Sequence, residues 1–384
     1  MGAAYSGIGV PRMARNIQSD ASIEIRELFK IFGASPARHV EAVRNGLSKT
    51  ELGRNHGHVL ALNNISIAMP AGKIQVIMGL SGSGKSTLIR HINRLVEPTS
   101  GSIVIDGRDI LDMGELELRE FRRNRTAMVF QKFALLPHRT VIENVTFGLE
   151  VRGMPKAKAR DVGMAWIERV GLHGFDARYP HELSGGMQQR VGLARALSND
   201  AAILLMDEAY SALDPLIRTD MQTVLLDLQA ELKKTIVFIT HDLDEALRLG
   251  DQIAILRDGE VVQQGTSQDI VLRPADNYVM DFVKGVNRAR VVRVETVMKP
   301  LGRAYPTGDT TIPAGAAIED AMRMVVHGPD TEVVVVGSTG QPVGLVSLRE
   351  LAGALISPGG SLPQNLGPQA TTTTEPARSQ RSRL

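Results

Sequence analysis

The octapeptide Gly79-Leu80-Ser81-Gly82-Ser83-Gly84-Lys85-Ser86 constrains this chain more than any other feature, because it fits G-x-x-x-x-G-K-[ST] in full. The motif needs a strand before it and a helix after it. Both patterns are present, as the apolar run Ile74–Met78 and the helical spacing of Thr87–Leu95. Glycines let the backbone curl into a nest of N–H groups aimed at phosphate oxygens, and the helix adds its positive N-terminal end. Gly79, Leu80, Ser81, Gly82, Ser83, Gly84, Lys85, Ser86 and Thr87 are the expected phosphate cradle. Lys85 would reach the β- and γ-phosphates, and the Ser86 hydroxyl would ligate Mg²⁺.

Short β-rich runs at Ile74–Met78, Ala127–Phe130, Ile203–Met206, Ile236–Thr240 and Gln252–Leu256 alternate with helical patterns. Such alternation predicts an α/β fold with a mostly parallel sheet. The strand Ile203–Met206 ends in Asp207-Glu208, which places two carboxylates at the sheet's carboxyl edge, where phosphate loops also sit. Asp207 is the expected Mg²⁺ holder, through water, and Glu208 the expected general base. Standing alone, an acidic pair at a strand end reads equally well as a solvated terminus. The complete phosphate loop favours a site. Together the two say NTPase and no more.

Composition narrows the setting. The 384 residues suffice for two domains, and 43% hydrophobic with 22% charged residues is ordinary for a globular protein. A formal charge of only +2 supplies no basic field to recruit nucleic acid. With no cysteine, disulfides and thiolate metal sites are excluded. No apolar run approaches the roughly 18–20 residues of a membrane-spanning helix. The N-terminal stretch lacks the apolar core of a secretory signal, and Pro11 interrupts it.

The discriminating stretch is Leu183-Ser184-Gly185-Gly186-Met187-Gln188-Gln189-Arg190. Ser184, Gly185 and Gly186 open a helix and present a hydroxyl and free N–H groups to an anion. The run resembles the LSGG signature of ABC (ATP-binding cassette) ATPases, and it lies between the phosphate loop and Asp207 as in that family. Gln131 matches the family's Q-loop glutamine, Ser211-Ala212-Leu213-Asp214 its D-loop, and His241 its switch histidine that contacts the γ-phosphate. The resemblance implies a P-loop NTPase fold of the ABC type with an inserted helical subdomain at about residues 133–195. It implies a head-to-tail dimer in which Ser184, Gly185 and Gly186 of one copy close over ATP held by the other, with Asp214 at the interface. Gln131 would contact Mg²⁺ or water and relay nucleotide state to the membrane subunits. Glu208, His241, Lys85 and Gln131 would act in hydrolysis.

One family feature has no match: the aromatic residue that stacks on adenine some 25 positions before the loop lysine. His56-Gly57-His58-Val59-Leu60 contains none. The base is left to His58 or Val59, or to Phe29 or Phe32 across the polar insertion Ala34–His56.

Further runs resemble the ATPase subunits of glycine betaine/proline betaine and related quaternary-amine importers. They are the insertion Phe32–Leu52, Val76–Gly82, Phe130–His138, Tyr179–Met187, Asp207–Arg218 and His241–Ala246. The resemblance covers about residues 22–290. It implies two membrane permease subunits, an extracytoplasmic binding protein that selects the cargo, and a peripheral position at the cytoplasmic face of the inner membrane. Choline, carnitine or another small solute remains an alternative cargo. A soluble ABC ATPase acting on DNA or ribosomes is a more distant rival, disfavoured by the single cassette and the absence of heptads.

Residues 1–21 read as a flexible leader and 357–384 as a disordered tail. Between them, 297–356 reads as a small α+β module. Val297–Pro300 and Gly344–Glu350 resemble a single CBS (cystathionine-β-synthase) domain, with Glu350 where Asp is commoner. A lone module would pair across the dimer and either binds nothing or tunes the ATPase to ionic strength or a nucleotide. Arg288, Arg290, Arg293, Lys299 and Arg303 read as a solvated linker, with contact to anionic lipid as the alternative.

Overall fold

The computed structural model describes residues 22–301, 311–327 and 332–355. The expected leader and tail, Ile356 and Arg303 lie outside these residues.

A six-stranded sheet forms the centre, in the order Glu260–Gly265, Gln252–Arg257, Ile74–Met78, Thr235–Thr240, Ile203–Asp207, Thr126–Phe130. All neighbours are parallel except the edge strand Glu260–Gly265. Three strands, Ile74–Met78, Ile203–Asp207 and Thr235–Thr240, are buried along their whole length. Continuous apolar runs are what a sheet covered on both faces requires. Register places Met78 opposite Thr240, Ile239 opposite Asp207, and Asp207 opposite Phe130. Four strands therefore end level, and each runs straight into an expected site residue: Gly79, His241, Glu208 and Gln131.

A second, antiparallel sheet packs on one face, in the order Val59–Met69, Ile23–Phe32, Ser100–Ile105, Arg108–Asp109. The core between the sheets joins Ile25, Leu62 and Ile103 to Ile77, Leu88, Leu205 and Ile239. Each such fully buried side chain contributes about 1.5–3 kcal/mol. The insertion forms two short helices, Val40–Arg44 and Lys49–His56, that bury Val40, Val43 and Leu52 against Phe29, Ile31 and Leu60.

Three helices, Val141–Val151, Lys156–Arg169 and Gly185–Ser198, enclose a separate cluster that includes Val145, Ile167 and Val191. The first has weak helix propensity, because its run is rich in β-branched residues. Local polar chemistry overrides propensity there. Thr140 and Glu143 form a capping box, and the buried Asn144 amide donates to the carbonyls of Leu136, Arg139 and Thr140. The third helix starts at Gly185 because Ser184 caps it.

The C-terminal elements form their own sheet, Lys299–Pro300, Pro342–Ser347, Glu332–Val336, Thr311–Pro313, with helices Ile318–His327 and Leu348–Leu355. The short strand Thr311–Pro313 pairs parallel to Glu332–Val336 and has no visible alternation in so few residues. Of the basic residues around the start of this sheet, Arg288 departs from the reading of a solvated linker. Arg288 is buried and donates to Val271 O. Arg290 pairs with Glu319, Arg293 donates to Gly315 O, and Lys299 pairs with Glu350. Arg290, Arg293 and Lys299 make these contacts while remaining exposed, so only Arg288 is withdrawn from the surface. Among the described residues no helix is long and apolar enough to cross a membrane.

Candidate functional site

The phosphate loop is glycine-dependent at two positions for steric reasons. At Gly79 (φ 151°) a Cβ would stand 2.2 Å from Leu256 O, and at Gly84 (φ 100°) 2.6 Å from Ala61 O. Only glycine combines left-handed backbone with such close approach. The loop closes through Ser83 N donating to Leu80 O, and the helix Lys85–Ile92 starts at its end with Thr87 in the first turn. Leu80, Ser81 and Gly82 form the exposed rim. The Ser83 hydroxyl is buried without a hydrogen-bond partner.

Lys85 is 5% exposed, and its ammonium donates to Gly79 O at 2.8 Å and Leu80 O at 3.0 Å. Burial lowers its pKa, while Glu208 and Asp207 oppose the shift. The ammonium is thus held at the loop by carbonyls and acids, with its charge available to a phosphate.

Ser86 donates to Asp207 Oδ1 at 2.8 Å, and Arg90 contacts Oδ2 at 3.3 Å. Arg90 was not among the expected site residues, although its place one turn after Ser86 puts both on one helix face. The Ser86 hydroxyl and Asp207 carboxylate are hard oxygen donors, the kind Mg²⁺ prefers. Among the described residues there is no group of three or more His, Cys, Asp or Glu suited to a metal. A site with one carboxylate and one hydroxyl fits a Mg²⁺ that takes its remaining ligands from phosphates and water.

Glu208 follows Asp207 in left-handed backbone (φ 46°), which turns its side chain across the strand ends. Gln131 Nε2 donates to Glu208 Oε2 and to Ser211 Oγ, both at 3.2 Å. Lys85 Nζ stands 3.9 Å from Glu208 Oε1, and His241 Nδ1 3.6 Å from Oε2. The His241 distance is beyond hydrogen bonding. Five expected residues (Lys85, Gln131, Asp207, Glu208, His241) thus gather at one edge of the sheet.

Ser184, Gly185 and Gly186 lie elsewhere. Ser184 caps the Gly185–Ser198 helix by accepting from Met187 N at 3.3 Å, and a Cβ on Gly186 would meet Ile217 at 2.6 Å. Among the described residues no hydrogen bond or ion pair joins this segment to the phosphate loop. Asp214 caps the helix Pro215–Leu232, accepting from Ile217 N at 3.1 Å. Within one chain, its visible role is structural.

The four adenine candidates separate by burial. His58 is buried with both ring nitrogens on the carbonyls of His56 and Ala34, and Phe29 is 1% exposed. Phe32 and Val59 are 42% and 58% exposed and are register partners. Val59 lies two residues before Ala61, whose carbonyl packs on Gly84.

A parallel sheet with a phosphate loop, an acidic strand end and a detached Ser-Gly-Gly helix start defines an ATP-binding cassette. The family profile described as "ABC transporter" matches residues 62–211. The glycine betaine/proline betaine transport system ATP-binding protein ProV of Salmonella typhimurium is 47% identical over 87% of this chain and 82% of its own length. The trimethylamine N-oxide transport system ATP-binding protein TmoW of Ruegeria pomeroyi is 46% identical over 84% and 93%. A dimeric post-hydrolysis structure of the ATP-binding cassette MJ0796 with ADP and Pi is 32% identical, with a TM-score of 0.55 over 64% of this chain and 98% of that one. The chain belongs to the ABC transporter family and is an ATP-hydrolysing subunit. Within that family it stands with the ATP-binding subunits of glycine betaine/proline betaine type.

Proposed function

We propose that this chain drives import of glycine betaine, proline betaine or a related quaternary amine, working as a head-to-tail dimer beneath two permease subunits. The observation that carries the mechanism is the position of Glu208. Its carboxylate stands among Lys85, Gln131 and His241 at the head of the phosphate loop. A general base must lie within reach of the attacking water and beside the groups that neutralise the developing charge.

In this reading the loop Gly79–Ser86 binds the ATP phosphates, with Lys85 on the β- and γ-phosphates. Ser86, Asp207 and Gln131 would hold Mg²⁺, which would supply positive charge to offset that of the phosphates. Glu208 takes the proton of the attacking water, and His241 reaches the γ-phosphate on closure. Adenine rests on Phe32 beside Val59. Among the described residues Ser184–Gly186 makes no hydrogen bond to the phosphate loop of its own chain, which supports completion by a second copy, with Asp214 at that junction. The chain sits at the cytoplasmic face of the inner membrane, held there by the permeases, and an extracytoplasmic binding protein selects the cargo. The cargo's chemistry is inferred from the likeness to transporters of betaines and trimethylamine N-oxide, since a fold alone does not name a substrate. The 297–356 region is read as a single CBS-like module that pairs across the dimer. Met324, Val326, Leu348 and Leu355 are exposed there, which supports a partner of the same kind.

Proteoliposomes holding this chain with its permeases and binding protein, loaded with ATP, should take up labelled glycine betaine. Uptake should stop with Glu208→Gln. ATP hydrolysis without betaine uptake, but with uptake of choline or carnitine, would reassign the cargo and leave the ATPase reading standing.

A further inference from the structure

Phe133 (φ 57°) and Ala134 (φ 49°) are consecutive non-glycine residues in left-handed backbone, immediately after Lys132. Side-chain-bearing residues rarely adopt this region singly, and two in a row hold it only where surrounding contacts impose it. The turn is tight: Phe133 N donates to Phe130 O at 3.2 Å and Ala134 N to Lys132 O at 2.5 Å. Both carbonyls of the pair are then gathered by one side chain. Arg195, on the Gly185–Ser198 helix, donates from Nη1 to Ala134 O at 2.7 Å and from Nη2 to Phe133 O at 3.1 Å.

Arg195 has no carboxylate partner among the described residues. Burial pulls its pKa below the usual guanidinium value. A partly buried guanidinium without a counter-ion is costly unless its donors are used, and here its planar fork fits the two carbonyls that the left-handed turn presents. The same loop runs along the helix. The Phe133 ring lies 3.8 Å from where a Cβ on Gly185 would stand, and Phe133 O lies 3.7 Å from the corresponding point at Gly192. Beyond the turn, Leu136 is bound through both its N–H and its carbonyl to Asn144.

We propose that Arg195 is a positioning residue for ATP hydrolysis: it locks the Gln131–Ala134 segment to the helix that begins at Ser184, so that Gln131 and the Ser184–Gly186 anion site move as one body. One end of the segment touches Glu208 and Ser211 through Gln131. The other is fixed to the helix that would meet the second nucleotide. Loss of the fork would free the turn to relax, and Gln131 would no longer hold its place beside Glu208. This inference rests on the proposed roles of Gln131 and Glu208.

The test is a double-mutant cycle on the full-length chain, read as steady-state ATP hydrolysis. Arg195→Met should lower kcat about tenfold and move KM for ATP by less than about twofold. In a Gln131→Ala background the same change should cost less than about twofold, because the pathway through Gln131 is already gone. Ala134→Gly, which adopts the left-handed turn without strain, should return about threefold in kcat to Arg195→Met. Equal losses of kcat in both backgrounds, or a loss confined to KM, would overturn the positioning role while leaving Gln131 in place. A Gln131→Ala variant with unchanged kcat would instead overturn the reading of Gln131 and the Arg195 route with it. If Arg195→Met does not fold, Arg195→Lys, which can serve one carbonyl at a time, carries the same cycle with the same criteria.

Discussion

Gln131 Nε2 donates to Glu208 Oε2 at 3.2 Å, joining the ends of two strands that lie side by side in the central sheet. The contact depends on backbone geometry on the Glu208 side, where a φ of 46° folds the side chain back toward Gln131 and Lys85. It ties the proposed base to the segment that leads to the helical subdomain.

Removing the charge of Glu208 tests its role directly. Glu208→Gln keeps the shape and one acceptor for Gln131, so ATP binding should persist within about twofold. Turnover should fall by about 10²–10⁴-fold, the usual contribution of a general base. The variant should also run as a dimer on size exclusion in ATP, because closed pairs no longer reopen. Near-normal turnover would remove Glu208 as the base.

Asp207 holds Ser86 and Arg90 on its two oxygens. Asp207→Asn keeps an acceptor for Ser86 but lowers the negative charge offered to a cation. The Mg²⁺ concentration for half-maximal ATPase should rise about 10–100-fold, as for other losses around a metal site. Nucleotide binding measured without Mg²⁺ should change little. An unchanged Mg²⁺ requirement would show that Asp207 serves only to anchor Ser86.

Phe32 presents a ring at the end of the antiparallel sheet, 42% exposed, with Lys30 Nζ 4.7 Å from its centroid. Base stacking on an aromatic ring is worth about 1–3 kcal/mol by alanine substitution. Phe32→Ala should therefore raise KM for ATP about tenfold with little change in kcat, and it should narrow any preference for ATP over GTP. Val59→Ala should do much less. If both variants bind ATP normally, adenine is held elsewhere.

The phosphate loop was legible because its geometry is local: glycine spacing, a strand before it and a helix after it all lie within one stretch of sequence. Asp207-Glu208 was legible for the same reason, as acids closing an apolar strand. That Phe29 is buried and Phe32 exposed was not legible from spacing, since it depends on how the strand they share packs. The helix Val141–Val151 was hidden by its β-branched residues and is held by a capping box and by Asn144, whose partners lie in the preceding loop. Arg288, Arg290 and Arg293 read as loose basic residues because their acceptors, Val271 O, Glu319 and Gly315 O, are set by packing rather than by neighbouring sequence.

Glu350 offers a pH-dependent test in the C-terminal sheet. Its Oε2 accepts from Ser347 N at 3.0 Å and from the Ser347 hydroxyl, and Lys299 Nζ stands 2.8 Å from Oε1. The residue thus ties the first strand of this sheet to the start of its last helix. The Lys299 and Ser347 hydrogen bonds hold its pKa down at about 2, against an ordinary value of 4.5. A carboxyl with a lowered folded-state pKa adds stability that is complete above its unfolded value and is lost as pH falls through the folded one. The window here runs from about pH 4.5 down to about 2. Glu350→Ala should lower the unfolding temperature of this region at neutral pH, by an amount consistent with loss of a cap worth about 1 kcal/mol. The gap between wild type and variant should narrow steadily as pH drops through that window, as followed by calorimetry or by amide exchange in Pro342–Ser347. A gap of constant size from pH 7 to pH 3 would mean that Glu350 contributes through packing and not through its charge.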